Sequence, residues 1–178
     1  MQNKIYNKQQ SLFRRLLHFV KIFLKPFLFF ILLSSAHSTD IDINKLLQMA
    51  KNQNKHIMFF HHIPGCPYCK AMLDENFKDD TILKEIDENF IFVDIFAANE
   101  GSIKYQGVEE SYKEFSTHIG AFVYPATIFM NEKGEVVHKA IGYRNIDEYF
   151  TEISYVATKS YKKMDLESYA QKLELERD

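Results

Sequence analysis

The chain reads as an α/β domain, and three observations carry that reading. After Thr39, short apolar runs alternate with stretches of helical periodicity. A Cys-x-x-Cys pair, Cys66 and Cys69, stands where one apolar run gives way to a helix, and a proline-led hairpin follows further on. No internal repeat or low-complexity linker argues for a second domain.

Taken in order, Asp42 or Asn44 is placed to cap a helix bearing Leu46, Leu47, Met49 and Ala50 on its apolar face. Residues 57–60 read as a buried strand and 67 to about 78 as a helix, with a second short helix carrying Ile82, Leu83 and Ile86. The run 90–96 is nearly all apolar, as expected of a strand covered on both sheet faces. Residues 97–110 are polar, with a short strand expected near 103–105. Ser111 and Glu114 form a capping-box signature for a helix through Phe115 to Ile119, and Gly120 suits its end. Strands 126–130 and 135–140 flank the Gly-containing turn 131–134 and predict a hairpin. Helices are expected from about Ile146 to Ala157 and around Leu166, Tyr169, Ala170 and Leu173.

Residues 1–38 hold six basic residues and no acidic one, then the apolar run 27–33 and small residues at Ala36 and Ser38. That order predicts a secretory signal peptide cleaved after Ser38. The alternative is an amino-terminal membrane anchor over 16–33, although Lys21, Lys25 and Pro26 interrupt it. Either way residues 39–178 form the exported domain, in the periplasm or a comparable compartment. Without the head, the remaining 140 residues carry 16 basic and 24 acidic side chains, a formal charge of −8. That balance excludes nucleic acid as a partner, since phosphate contacts need a basic patch.

Cys66 and Cys69 are the only cysteines, so the thiol inventory is one pair and no structural disulfide is expected. The spacing brings both sulfurs to the first turn of a helix, within bridging reach. Pro67 suits the first helical position, where its fixed φ is pre-organised and its missing N–H is no loss. Cys66, at the positive end of the helix dipole, is the expected nucleophile, and Cys69, one turn in beneath Met72 and Leu73, the resolving thiol. A zinc half-site would need two further ligands. His61, His62, His118 and His138 are available, but no pair of them has zinc-finger spacing.

The order of strand, Cys-x-x-Cys helix, strand, helix, proline-led hairpin and final helix resembles the thioredoxin superfamily from about Asp42 to Ala157. The resemblance rests on Cys66–Cys69, on Val123-Tyr124-Pro125-Ala126-Thr127, and on Gly134 and Gly142. Ile63-Pro64-Gly65-Cys66-Pro67-Tyr68-Cys69-Lys70-Ala71-Met72, with the segment inserted before the 111–119 helix, looks most like exported proteins of the SoxW type. The resemblance implies a thioredoxin fold, a central mixed sheet flanked by helices. It also implies thiol–disulfide exchange with protein cysteines or disulfides, no bound cofactor and no metal, and a membrane protein as electron donor. Pro125 would be the family's cis-proline, placing the backbone of Tyr124 beside the sulfurs to pair with an extended substrate. Read alone, Pro125 begins an edge strand.

The chain also departs from that pattern. Cytosolic thioredoxins have Trp just before the first Cys and a buried Asp six positions before it, where this chain has Gly65 and Phe60. The acid/base for the resolving thiol would then be Asp94, Glu75 or water. His61 and His62 are expected as a solvated strand-end pair, or as one cation tuning Cys66. Tyr68, exposed between the cysteines, is expected to touch substrate. The remaining Phe and Tyr residues read as core filling.

Two function classes follow. One is an exported thiol–disulfide oxidoreductase, with reduction favoured over oxidation or isomerisation because no His stands beside Cys66 inside the motif. The other is a Cu(I)-handling module using the same soft thiolates.

Overall fold

In the computed structural model, residues 41–177 are described; the signal peptide and anchor readings of 1–38 lie outside them. The elements run β1 (Ile41–Asp42), α1 (Ile43–Gln53), β2 (His56–His62), α2 (Pro67–Asp74), a 3₁₀ turn (Asn76–Lys78), α3 (Asp80–Asn89), β3 (Phe90–Phe96), β4 (Ser102–Tyr105) and β5 (Val108–Ser111). They continue with α4 (Tyr112–His118), β6 (Ala126–Met130), β7 (Val136–Ile141), α5 (Ile146–Ala157), a second 3₁₀ turn (Ser160–Lys162) and α6 (Leu166–Arg177).

The main sheet has strand order β3-β2-β6-β7. β2 runs parallel to β3 and antiparallel to β6, which forms a hairpin with β7. As the alternation of a strand requires, Ile57 and Phe59 face one core with α1 and α4, while Met58 and Phe60 face another with α2, α3 and α5. This double coverage is why β2 reads as an unbroken apolar run.

β3 differs from the expectation of cover on both faces. It is the edge strand, and Phe92 is 41% exposed, with the ring of Phe77 5.4 Å away. The helix expected over 67–78 also ends early, at Asp74. Glu75 leaves the helical path, a 3₁₀ turn follows, and Asp79 opens α3 by accepting from the N–H groups of Thr81 and Ile82. Asn76, in that break, is buried and donates to the carbonyl of Arg144 at 2.9 Å, which holds the turn against the β7–α5 loop.

The segment between β3 and α4 builds more than one strand. β4 pairs antiparallel with β5 and parallel with the two residues of β1, making a second, three-stranded sheet. Gln106 and Gly107, both at positive φ, turn between β4 and β5. The capping boxes of α4, Ser111 with Glu114, and of α5, Asn145 with Glu148, are both present.

Candidate active site

β2 ends at His62, and Ile63-Pro64-Gly65 carries the chain into α2, with Gly65 at φ +69, the left-handed region glycine enters freely. Cys66 is the N-cap: its backbone is extended and its Sγ accepts from the N–H of Cys69 at 3.1 Å. Pro67 follows at the first helical position. Cys66 and Cys69 are joined as a disulfide, with Cα atoms 5.2 Å apart. Cys66 is half-buried, whereas Cys69 is only 2% exposed, so one sulfur is open to a second molecule and the other is covered.

A second segment meets the disulfide from across the sheet. The Tyr124–Pro125 peptide is cis, and the Tyr124 carbonyl oxygen lies 3.9 Å from Cys66 Sγ. Pro125 is buried, and its carbonyl accepts from the N–H of Gly142 at 2.8 Å, which ties the approach to β6 to the end of β7. Just beyond, the Tyr143 ring stands 6.2 Å from the exposed ring of Tyr68, and its hydroxyl donates to Glu75 at 2.5 Å. That bond raises the Tyr143 pKa, because the phenolate would face a carboxylate.

The histidines before the motif are not the solvated pair expected. Alternation sends His61 to the α4 side, fully buried, where its Nδ1 lies 2.8 Å from Ser116 Oγ. Ser116 donates its own proton to the Tyr112 carbonyl, so Nδ1 carries the imidazole proton and donates, leaving a buried Nε2 without a partner. Burial pushes the His61 pKa down to about 3, so the ring is neutral and supplies no cation to Cys66. His62 faces the other side, stacked on Phe60 at 5.3 Å, with Nε2 2.7 Å from Asp94 Oδ1.

The carboxylates proposed as acid/base are therefore engaged elsewhere, Asp94 with His62 and Glu75 with Tyr143. Phe60, in the place of the family's buried Asp, is itself buried and packs on Phe77 at 4.6 Å. The other zinc-ligand candidates are likewise taken: His118 meets Glu110 and His138 meets Glu152. No three His, Cys, Asp or Glu side chains converge as a metal site among the described residues. Tyr143, which no local sequence pattern marks, joins the same corner through its ring contact with Tyr68.

The family model of the Thioredoxin-like domain matches residues 43–157, most of the described chain. This chain belongs to that family, and with its Cys66–Cys69 disulfide at a helix start it is of the thiol–disulfide oxidoreductase class. Among solved structures it is similar to a thioredoxin-fold protein from Helicobacter pylori, with TM-score 0.56 and 15% identity over 66% of this chain and 83% of that one. It is also similar to a thioredoxin from Thermus thermophilus, with TM-score 0.53 and 20% identity over 67% and 87%. At these identities the likeness is one of fold. No curated protein sequence matches.

Proposed function

We propose that this chain is an exported reductase of protein disulfides that works through Cys66 and Cys69, with a membrane-bound dithiol protein as its electron donor. The observation that carries the reading is the asymmetry of the pair: Cys66 is half-exposed at a helix start and accepts an N–H bond, whereas Cys69 is buried one turn in. In the reduced enzyme the Cys66 thiolate attacks a sulfur of the partner's disulfide. That S–S bond breaks, a mixed disulfide forms, and the other partner sulfur leaves as thiolate. Cys69 then loses its proton to water, attacks Cys66 Sγ, and displaces the second partner sulfur. Two electrons have moved to the partner, and the Cys66–Cys69 disulfide is the oxidised product.

Export is supported by the basic, apolar and small-residue order of 1–38, and a reductase by Pro67 and Tyr68 between the cysteines, where no His stabilises the Cys66 thiolate. Equilibration of the full chain with glutathione buffers tests the direction. A potential near thioredoxin's ~−270 mV is expected, and one near ~−120 mV would mark an oxidase instead. Clients are identified from a Cys69→Ser variant, whose mixed disulfides do not resolve.

A further inference from the structure

We infer that the groove between α5 and α6 is a docking site for an amphipathic helix of a partner protein, with leucine-like side chains on its apolar face and lysine or arginine along its flanks. The inference goes beyond the redox reading above and does not depend on it.

The family model ends at residue 157, so α6 and the groove it makes with α5 are additions to the family's domain. Leu166, Ala170 and Leu173 recur at i, i+4 and i+7 and form one stripe of α6. With α5 opposite, that stripe lines a space of about 620 Å³, in the size class of binding pockets. Tyr169, off the stripe, is buried in the core, whereas all three stripe residues keep part of their surface in water. An apolar stripe left open between two helices has the form that receives the apolar face of a third.

The rim says which helix. Glu148 on α5 and Glu167 and Glu174 on α6 are exposed along it, and the only basic side chain lining the groove among the described residues, Arg144, is held by buried Glu152 at 2.5 Å. Lys172, two residues before Glu174, pairs with Glu176 instead, at 3.5 Å. The lining residues therefore set net negative charge around an apolar floor, and a cationic helix with an apolar face complements both. α5 and α6 have 12 residues each, ~18 Å of helix, which matches about three turns of the partner. Arg144 directly follows Tyr143, whose ring meets that of Tyr68 between the cysteines, so a protein docked here is held beside the disulfide.

The test measures, by fluorescence anisotropy, binding of labelled synthetic helices of about 14 residues, ~21 Å long, to the full chain. One carries a leucine stripe flanked by lysines, a second has glutamate in place of lysine, and a third scrambles the first so that no apolar face forms. The lysine helix is expected to bind at least ~10-fold tighter than either of the others, and less tightly as salt is raised. Glu167→Lys with Glu174→Lys should remove that binding. Should the reversal fail to fold, the neutral pair Glu167→Gln with Glu174→Gln should weaken it at least ~3-fold. Asp87→Lys with Glu88→Lys on α3, the same charge change elsewhere, should leave it unchanged. Hydroxyethyl disulfide, too small to need docking, should be reduced at the wild-type rate by every variant, and the redox reading stands or falls on that reduction alone. Refusal of the lysine helix by the full chain, equal binding of the three helices, or equal loss in the α3 variant overturns the inference. So does a dimer in sedimentation that the Glu167 and Glu174 reversal dissolves, since a second copy is then the occupant.

Discussion

The Sγ of Cys66 lies 3.9 Å from the carbonyl oxygen of Tyr124, a residue 58 positions further along the chain. Through that contact the start of α2 and the approach to β6 form one corner. The register of β2 against β6, with His61 opposite Ala126 and Phe60 opposite Thr127, brings the two strand ends level. The disulfide therefore sits at the sheet's end, where the approach to β6 supplies a backbone edge.

Cys66 is expected to alkylate first when the enzyme is reduced, and Cys66→Ser to abolish exchange. The helix start and the Cys69 N–H both favour thiolate at Cys66, while burial of Cys69 holds its proton and blocks access. Timed alkylation with mass mapping reads the order directly. Faster labelling of Cys69 would reverse the roles.

His61 makes stability fall in acid. Its pKa is about 3 in the folded chain against 6.5 for a free imidazole, so the unfolded chain takes up the proton first as pH falls. Its contribution is whole above pH 6.5 and drains between 6.5 and 3, amounting to about 2 kcal/mol between pH 7 and 5. His56, buried and pushed down to about 4, acts in the same direction. A His61→Phe variant should flatten that slope in urea titrations at the two pH values, and at pH 7 should lie within about 1 kcal/mol of wild type because it removes an unpartnered nitrogen. An unchanged slope would show that His61 is not the titrating group.

Glu152 joins the sheet to α5 through charge. Its carboxylate is buried, accepting from His138 Nε2 at 2.6 Å and from Arg144 Nε at 2.5 Å. Glu152→Ala leaves the Nε of Arg144 and the ring of His138 without their carboxylate acceptor in a partly covered site, while Arg144 keeps the Ile141 and Tyr143 carbonyls, and should cost about 3 kcal/mol. Chemical denaturation measures it; a loss below ~0.5 kcal/mol would mean that solvent replaces the carboxylate.

The native amino terminus is expected at Thr39. Amino-terminal sequencing of the protein recovered from its own cell decides between a cleaved head and a retained anchor, and an intact head on soluble cytosolic protein would refute export altogether.

Much of the fold was legible because it is written in local patterns. The cap expected at Asp42 or Asn44 and found at Asp42, the Ser111–Glu114 capping box, the hairpin expected over 126–140, whose second strand runs one residue later, and the helix from Ile146 to Ala157 each follow from residues a few positions apart, and each is present. So was the likeness to thioredoxins, carried by Cys66, Cys69 and Pro125. The three-stranded sheet was not, because β1 has two residues and β5 reads Val-Glu-Glu-Ser, too short and too polar to signal a strand before a partner is chosen. Nor was the break at Glu75, which depends on Asn76 meeting a carbonyl 68 positions away.

By itself the sequence determined the pairing of its two cysteines, since there are no others, and the order of elements that presents them at a helix start. The tertiary structure alone decided which histidine is buried, that Asp94 is engaged by His62 and Glu75 by Tyr143, and that Phe122 and Val123 face water in the loop before Pro125. The physical reason is range. Capping, periodicity and turn chemistry act between near neighbours in sequence, whereas burial and long-range hydrogen bonds depend on which distant segments the packed sheet brings together.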